Sequence, residues 1–403
     1  MKRHLIGIGG VGMSALATAL VRLGDEVTGA DRTLGTPNIR FLESLGVRVF
    51  PDDGSGIDAA TGEVIVSTAI EDGNPGLVRA RRLGIPVTHR AKALSRTLAG
   101  RRLVAVVGTC GKSTVTAMLG HVLAECGLDP LCVNGANVPG WEGAVRFGRG
   151  AYAVAEVDES DRSLVAFSPY AAVVTNASAD HYSKEEMDAV FDAFVKDLPG
   201  PLVDGRRISG EADVSVPGRH NRVNAFLALR MAVRLGCDEA RARAALLGFG
   251  GVERRLQLVS APGRAPAVYD DYAHNPEKLR AMWTTLAERH PEGICVVWRP
   301  HGYGPLRKMA DALAEMFNAT VRPQDRLVLL PVYDAGGTAD RSVNSDALAA
   351  RVPRAELVPD PDAAFAACLA GRGGCGCFVT CGARDPGLPV LARRLAAAAS
   401  DLV

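Results

Sequence analysis

Short apolar strands alternate with amphipathic helices along this 403-residue chain, and this alternation restricts the fold more than any other feature. Runs such as HLIGIGG, RRLVAVVG and GICVVWRPH have the continuous apolar character of strands that are buried on both faces. Each run is followed by a segment with helical periodicity, as in a βαβ unit. The pattern predicts an α/β fold in which parallel sheets are covered by helices.

New strand and loop units begin near residue 98 and after the segment GFGGVERRLQLV, and these two points divide the chain. At roughly 150 residues per domain, the length suits two large domains or three modest ones. The positions of the new starts favour three. We expect domains at residues 1–97, 98–255 and 256–403.

The charge balance and the cysteines limit the class of protein. Lys plus Arg number 46 and Asp plus Glu 45, so bulk charge cannot hold a polyanion and no nucleic-acid partner is expected. No run of 18 apolar residues exists, and the glycine-rich N-terminus lacks a clear cleavage site, so we expect a reduced cytoplasmic protein without a membrane segment. Cys375, Cys377 and Cys381 have the wrong spacing for common zinc ligands and are predicted to be core thiols.

The first glycine loop lies between a strand and a helix. Gly7, Gly9 and Gly12 form G-x-G-x-x-G, and Asp31 ends the next strand. This arrangement is typical of a nucleotide diphosphate site, with the acidic residue on a sugar hydroxyl and NAD as the default ligand. The alternative is a turn that only packs helix on strand. The candidate substrate-binding residues are Gly7, Gly9, Gly10, Val11, Gly12 and Asp31.

The second glycine loop, VAVVGTCGKST, matches the shorter G-x-x-G-K-[ST] form of a P-loop, because Val106 stands where the full spacing requires glycine. Backbone N–H groups would surround phosphates, Lys112 would neutralise the β and γ oxygens, and Ser113 would ligate Mg²⁺. A surface lysine on a plain glycine turn is the alternative. The candidate ATP-binding residues here are Gly108, Thr109, Gly111, Lys112, Ser113 and Thr114. Two separate nucleotide-type loops favour an ATP-driven reaction on a nucleotide-linked substrate over hydride transfer.

Polar residues follow several predicted strands and open one helix. Glu156 ends the strand AYAVAEV and suits Mg²⁺ bound to ATP, while His181 is a second metal ligand or positions an acceptor. A solvated strand end is the alternative. Asn221 and Asn224 lie one turn apart and would read a purine edge or cap the helix.

Eight ordered motifs resemble those of the Mur ligase family. They are HLIGIGGVGMSALA, GTCGKST, AEVDESDRS, VTNASADH, PGRHNRVNA, GVERRLQ, DDYAHNP and RPHGYG. The resemblance implies a Rossmann-like N-terminal domain for a UDP-linked substrate, a central P-loop ATPase domain and a Rossmann-like C-terminal domain for the amino acid. It also implies hinges near residues 98 and 256.

The resemblance further implies an ATP- and Mg²⁺-dependent ligase that joins an amino acid, L-alanine first, to UDP-N-acetylmuramate through an acyl phosphate. Lys112 and Ser113 would serve the γ-phosphate and Mg²⁺, Glu156 the metal, and His181 a second Mg²⁺. Asn221 and Asn224 would meet adenine, Asp271 the ribose, Arg255 the phosphate, and His274 the acceptor as a base. Monomer and homodimer both remain open.

Several positions depart from the family pattern. Cys110 replaces Asn or His, His274–Asn275 replaces paired histidines, and Gly302 and Gly304 replace arginine and serine. The stretch 199–217 is shorter than usual. Because these changes lie mostly on the acceptor side, two alternatives stay open: a paralogue with a different carboxylate and amine, and a catalytically weak nucleotide-binding homologue.

Overall fold

The computed structural model describes residues 1–158, 163–177, 184–263, 266–334, 340–371 and 374–400. Within these ranges the chain forms three sheets covered by thirteen α-helices, and most strand pairs are parallel. The predicted α/β class is confirmed.

The first sheet has five parallel strands in the order β3-β2-β1-β4-β5. Its order reverses beside β1, so the glycine loop after β1 lies at a topological switch point, where such sheets bind ligands. Its elements are β1 (Lys2–Ile6), α1 (Val11–Arg22), β2 (Glu26–Asp31), α2 (Pro37–Ser44), β3 (Arg48–Pro51), β4 (Glu63–Val66), α3 (Pro75–Arg82), β5 (Val87–His89) and α4 (Arg90–Leu98).

The second sheet has six strands in the order β11-β10-β6-β9-β7-β8, of which only the short β8 is antiparallel. Its central strand β6 leads into the second glycine loop. The elements are β6 (Arg102–Val107), α5 (Lys112–Glu125), β7 (Leu131–Val133), β8 (Val145–Arg146), β9 (Tyr152–Glu156), a 3₁₀ turn (Ser163–Ala166), β10 (Ala171–Val174), α6 (Lys184–Val195), β11 (Leu202–Asp204), α7 (Arg219–Arg234) and α8 (Glu239–Leu247).

The third sheet has the order β12-β13-β17-β14-β15-β16, with β12 antiparallel at its edge. Its elements are β12 (Gln257–Leu258), β13 (Ala267–Asp271), α9 (Pro276–Arg289), β14 (Ile294–Trp298), α10 (Tyr303–Thr320), β15 (Arg326–Leu329), α11 (Ser345–Ala349), β16 (Ala355–Leu357), α12 (Pro361–Ala370), β17 (Cys377–Cys381) and α13 (Gly387–Ser400).

The chain forms two compact units. Residues 1–216 and 220–252 make the first unit, which holds the first and second sheets, and residues 217–219 and 253–403 make the second. One hydrophobic core in the first unit runs from the first sheet to the second and includes Leu94, Leu98 and Leu103.

The predicted burial of three cysteines is confirmed. All nine cysteines are free thiols, and Cys375, Cys377 and Cys381 are buried as predicted. The described residues contain no group of three metal-ligating His, Cys, Asp or Glu side chains. None of the helices described has the length and apolarity needed to cross a membrane.

Candidate functional site

The first glycine loop is closed by the acidic residue at the end of β2. The Gly9 N–H donates to Asp31 Oδ2 over 2.8 Å, and Asn38 Nδ2 donates to the Gly9 carbonyl over 2.9 Å. A Cβ on Gly9 would lie 3.0 Å from Asp31 Oδ2, and Gly7 has a φ of +74°. One Asp31 oxygen therefore shapes the loop itself.

The start of α1 offers backbone N–H groups toward a ligand. Gly10 is its N-cap without a capping side chain, and Gly10 and Val11 are both exposed. A Cβ on Gly12 would lie 3.1 Å from Nη1 of Arg90, the first residue of α4. A helix N-terminus beside a guanidinium suits a diphosphate. The sequence analysis missed Arg90, because nothing local to it indicates that α4 begins beside α1.

The second glycine loop has a backbone that only glycine accommodates. Gly108 has a φ of +127°, and a Cβ there would lie 2.2 Å from Thr175 Oγ1. Gly111, the N-cap of α5, has a φ of +84°, and a Cβ there would lie 2.5 Å from Asn224 Oδ1. The predicted strand, loop and helix are thus present, and the loop is packed closely on β10 and α7.

Lys112, Ser113 and Thr114 form the first turn of α5. Lys112 Nζ donates to the Gly108 carbonyl over 2.7 Å, so the ammonium group lies across the loop. Ser113 and Thr114 are buried at 4% and 7% exposure, and no acidic residue lies in the first turn of α5. The Thr109 N–H donates to a backbone carbonyl at the end of β10. The helix N-terminus and Lys112 together favour an anionic phosphate.

The side chains of Thr175 and Asn176, which directly follow β10, form hydrogen bonds with the second glycine loop. The Cys110 N–H donates to Asn176 Oδ1 over 3.0 Å, and Asn176 Nδ2 donates to the Cys110 carbonyl over 3.0 Å. Thr175 Oγ1 donates to the same carbonyl over 2.6 Å. The sequence analysis did not single out either role, although both residues belong to the motif VTNASADH.

Two side chains with oxygen atoms that could bind a metal ion, Asn134 and Glu156, lie at the ends of β7 and β9. Glu156 Oε2 accepts from the Gly135 N–H over 2.8 Å, and β9 pairs with β6 with Glu156 opposite Val106. Asn134 is 3% exposed, and its Oδ1 has no hydrogen-bond partner among the described residues. Carboxylate, hydroxyl and amide oxygens are the ligands that Mg²⁺ prefers, so Glu156 and Ser113 fit this ion. Asn134 was missed, but a polar residue directly after a buried strand is the same signal that indicated Glu156. His181 lies outside the described residues.

The two asparagines of α7 are buried inside the helix, Asn221 at 3% and Asn224 at 7% exposure. Neither asparagine is the N-cap residue itself, because α7 begins at Arg219 and both residues follow its first position. Asn224 lies beside the second glycine loop, since a Cβ on Gly111 would be 2.5 Å from its Oδ1.

The remaining predicted residues lie in the second unit. Asp271 ends β13, and its two oxygens accept the N–H groups of Leu256 and Ala273, each over 2.7 Å. Burial raises the pKa of the neighbouring Asp270 carboxyl to about 6, although the Arg254 guanidinium acts in the opposite direction. Asp271 thus fixes the backbone beside Arg255.

His274 lies between a carbonyl and a second histidine. Its Nδ1 is 2.9 Å from the Tyr272 carbonyl, and its ring meets the His301 ring edge to face at 4.8 Å. Because a carbonyl only accepts, Nδ1 carries the proton of the neutral ring and Nε2 keeps a lone pair, as a base requires. Asn275 caps α9 by accepting from the Lys278 N–H over 2.9 Å.

Comparison with known proteins gives consistent matches. The family model described as "Mur ligase family, catalytic domain" matches residues 2–102, and that described as "Mur ligase, glutamate ligase domain" matches residues 254–384. The UDP-N-acetylmuramate–L-alanine ligase of Rubrobacter xylanophilus is 36% identical, covering 90% of this chain and 92% of its own. That of Paenarthrobacter aurescens is 38% identical, with 82% and 83% covered.

A solved structure agrees over the whole chain. The crystal structure of the UDP-N-acetylmuramate–alanine ligase from Thermotoga maritima matches with a TM-score of 0.84 at 26% identity, covering 100% of this chain and 99% of that one. A murein peptide ligase from Psychrobacter arcticus, at 20% identity and a TM-score of 0.69, shares the fold.

Proposed function

Because the chain belongs to the Mur ligase family, we propose that it joins L-alanine to the carboxylate of UDP-N-acetylmuramate in an ATP-dependent step of peptidoglycan precursor synthesis. The observation that carries the proposal is the P-loop, whose glycine backbone, Lys112 and helix N-terminus suit a triphosphate, in a chain similar to such ligases over nine-tenths of its length.

We assign the ligands to the three sheets. Residues 1–97 bind the UDP portion, with its diphosphate at the N-terminus of α1 and near Arg90. Residues 98–255 bind ATP, with adenine near Asn221 and Asn224. Residues 256–403 bind the amino acid, with Asp271 toward the ribose. These assignments agree with the switch point beside β1 and with the packing of Asn224 on the P-loop.

The reaction brings two anions together. The substrate carboxylate attacks the γ-phosphorus of ATP, ADP leaves, and an acyl phosphate remains, which the amine of the amino acid then attacks to release phosphate. Lys112 and Arg255 offset the negative charge as the carboxylate approaches. Ser113 and Glu156 would hold Mg²⁺, with Asn134 as a further oxygen ligand and His181 as the ligand that the family resemblance implies. The ion would supply further charge neutralisation at the phosphates.

The amine must lose a proton before or during its attack. His274 is suited to accept it, because its Nδ1 faces the Tyr272 carbonyl and leaves Nε2 with a lone pair. The neighbouring Asn275 is used as the N-cap of α9. UDP-N-acetylmuramate–L-alanine ligases usually have a second histidine where Asn275 stands, so a paralogue that uses a different carboxylate and amine is the alternative.

Phosphate release from ATP tests the proposal. The purified protein is given UDP-N-acetylmuramate and each of a panel of amino acids. Release with L-alanine supports the proposal, and release only with another pair identifies a paralogue. No release with any pair, while ATP still binds, would show a catalytically weak homologue.

Lys112→Ala serves as the loop control. It should abolish phosphate release while leaving binding of UDP-N-acetylmuramate intact, because Lys112 lies on the second glycine loop. Lys308→Ala, an exposed lysine on α10, is the matched variant and should retain full activity. Turnover by Lys112→Ala would disprove the P-loop assignment.

A further inference from the structure

The turn that carries Arg255 is strained on both sides. Arg254 has a φ of +58° and Leu256 a φ of +45°, and these are two of the four non-glycine residues with positive φ in the described ranges. A left-handed conformation is unfavourable for residues that carry a Cβ, so it persists only where the surroundings enforce it. Strain of this kind clusters at functional sites.

Three hydrogen bonds that involve backbone groups of the turn enforce its conformation. The Tyr272 N–H donates to the Arg254 carbonyl over 2.7 Å, and the Arg254 N–H donates to Gln257 Oε1 over 3.0 Å. The Leu256 N–H donates to Asp271 Oδ2 over 2.7 Å, while the Leu256 side chain is 4% exposed in the core. The backbone on each side of Arg255 is therefore fixed to the end of β13.

The Arg254 side chain adds an anchor inside the third sheet. Its Nε donates to Asp270 Oδ2 over 3.1 Å, and its Nη2 donates to the Gly382 carbonyl over 2.6 Å. The Asp270 side chain is 2% exposed, and its other oxygen accepts from Thr380 Oγ1 over 2.8 Å. Arg254 is thereby fixed to the carboxyl ends of both β13 and β17.

The two arginines share one aromatic ring. The guanidinium carbon of Arg254 lies 5.0 Å from the centre of the Tyr272 ring, and that of Arg255 lies 5.2 Å from it. Both distances are within the range of cation–π attraction. The side chain of Arg255 is therefore oriented by the same ring that packs on the anchored Arg254.

We propose that Arg254 is a positioning residue of the ligase, which holds the strained turn and directs Arg255 toward the reacting phosphate. This inference rests on the proposed role of Arg255. Arg254 acts through its bonds to Asp270 and the Gly382 carbonyl and has no contact of its own with the substrates. Its removal should therefore matter only while Arg255 is present.

A double-mutant cycle on phosphate release tests this dependence. Arg255→Ala should lower kcat by about 100-fold, the usual effect of losing one donor to a transition state. Arg254→Ala should lower kcat by about 10-fold or more with a smaller change in KM for ATP, and the double variant should be no slower than Arg255→Ala.

The outcomes separate the inference from the function. If the two losses multiply, or if Arg254→Ala keeps wild-type kcat, Arg254 is not a positioning residue, although the ligase function stands. If Arg255→Ala itself has no effect, the role assigned to Arg255 fails and the inference with it.

Controls address folding. Arg394→Ala removes an arginine that pairs with Asp362 over 2.7 Å and lies 4.8 Å from the centre of the Phe365 ring, so it loses the same kinds of contact elsewhere in the unit. It should keep kcat unchanged. If Arg254→Ala does not fold, Arg254→Lys goes through the same cycle, since lysine cannot bond Asp270 and the Gly382 carbonyl in the fork geometry of arginine.

Discussion

Replacing Asn176 by alanine should weaken ATP binding by releasing the P-loop. The Asn176 amide makes two hydrogen bonds to the Cys110 peptide, one to its N–H and one to its carbonyl, each 3.0 Å long. The Cys110 carbonyl keeps a second donor, Thr175 Oγ1, so the N–H is the group that the variant orphans. The hydrogen bonds with Asn176 prevent rotation of the peptide groups at Cys110, and the alanine variant would allow it.

The magnitude follows from these bonds. Each hydrogen bond contributes about 0.5–1.5 kcal/mol net to the stability of the loop. A partly buried N–H group that has lost its acceptor costs free energy at or above the upper end of this range. Because Thr175 retains the carbonyl, we expect a loss of about 1.4–2 kcal/mol, which corresponds to a roughly 10- to 30-fold weaker Kd for ATP. Asn176→Asp keeps an acceptor for the Cys110 N–H. It also places a negative charge beside the Cys110 carbonyl and near the phosphates of bound ATP, so ATP affinity should fall further than in Asn176→Ala.

Calorimetric titration with a non-hydrolysable ATP analogue and Mg²⁺ measures this change, with thermal unfolding recorded alongside. Asn318→Ala, which removes an exposed amide that donates to the Arg351 carbonyl just after α11, is the matched control and should leave the Kd unchanged. A folded Asn176→Ala protein whose Kd stays within about threefold of wild type would refute the reasoning, since less than 1 kcal/mol would then depend on the clamp.

Three further changes test other parts of the structure. Gly111→Ala should weaken ATP binding more than tenfold in the same titration, since its φ is +84° and its Cβ would lie 2.5 Å from Asn224 Oδ1; unchanged binding would disprove the packing. Burial lowers the pKa of His4 from 6.5 to about 4, so between these values the unfolded chain binds more protons and stability rises with pH. Urea unfolding should show about 2 kcal/mol less stability at pH 5 than at pH 7, and His4→Gln should remove that contribution. Arg206→Met removes the 2.8 Å partner of the buried Asp204 carboxylate and leaves Arg207 Nε at 3.4 Å from it, so it should lower the free energy of unfolding by about 2–3 kcal/mol. An unchanged urea midpoint would contradict this.

Both glycine loops could be predicted from the sequence because their signal is local. Gly7, Gly108 and Gly111 have positive φ, a local backbone conformation that favours glycine, and the strands and helices beside them have clear periodicity. The α/β class and the ordered motifs follow from the same local patterns.

The roles of three residues with distant contacts could not be predicted in this way. Asn176, Arg90 and Arg254 act on segments that are distant in the sequence, and their roles depend on strand pairing and on where a helix begins in space. An asparagine after a strand or an arginine in a turn has many structural uses. The distances from these residues to Cys110, Gly12 and Asp270 are what distinguish their structural roles from those of ordinary solvent-exposed side chains.

The core of the first unit restricts how the two glycine loops can move. Leu94, Leu98 and Leu103 lie on both sides of the expected hinge near residue 98, yet all belong to one hydrophobic core. Exposing these side chains would cost about 1.5–3 kcal/mol each. The bidentate pair of hydrogen bonds from Arg22 to Glu142, 2.6 and 2.7 Å long, would also break. Opening near residue 98 would break this core, so we expect the loops after β1 and β6 to keep their separation. If these loops bind the UDP-linked substrate and ATP as proposed, packing rather than closure at residue 98 sets the approach of the carboxylate to the γ-phosphate.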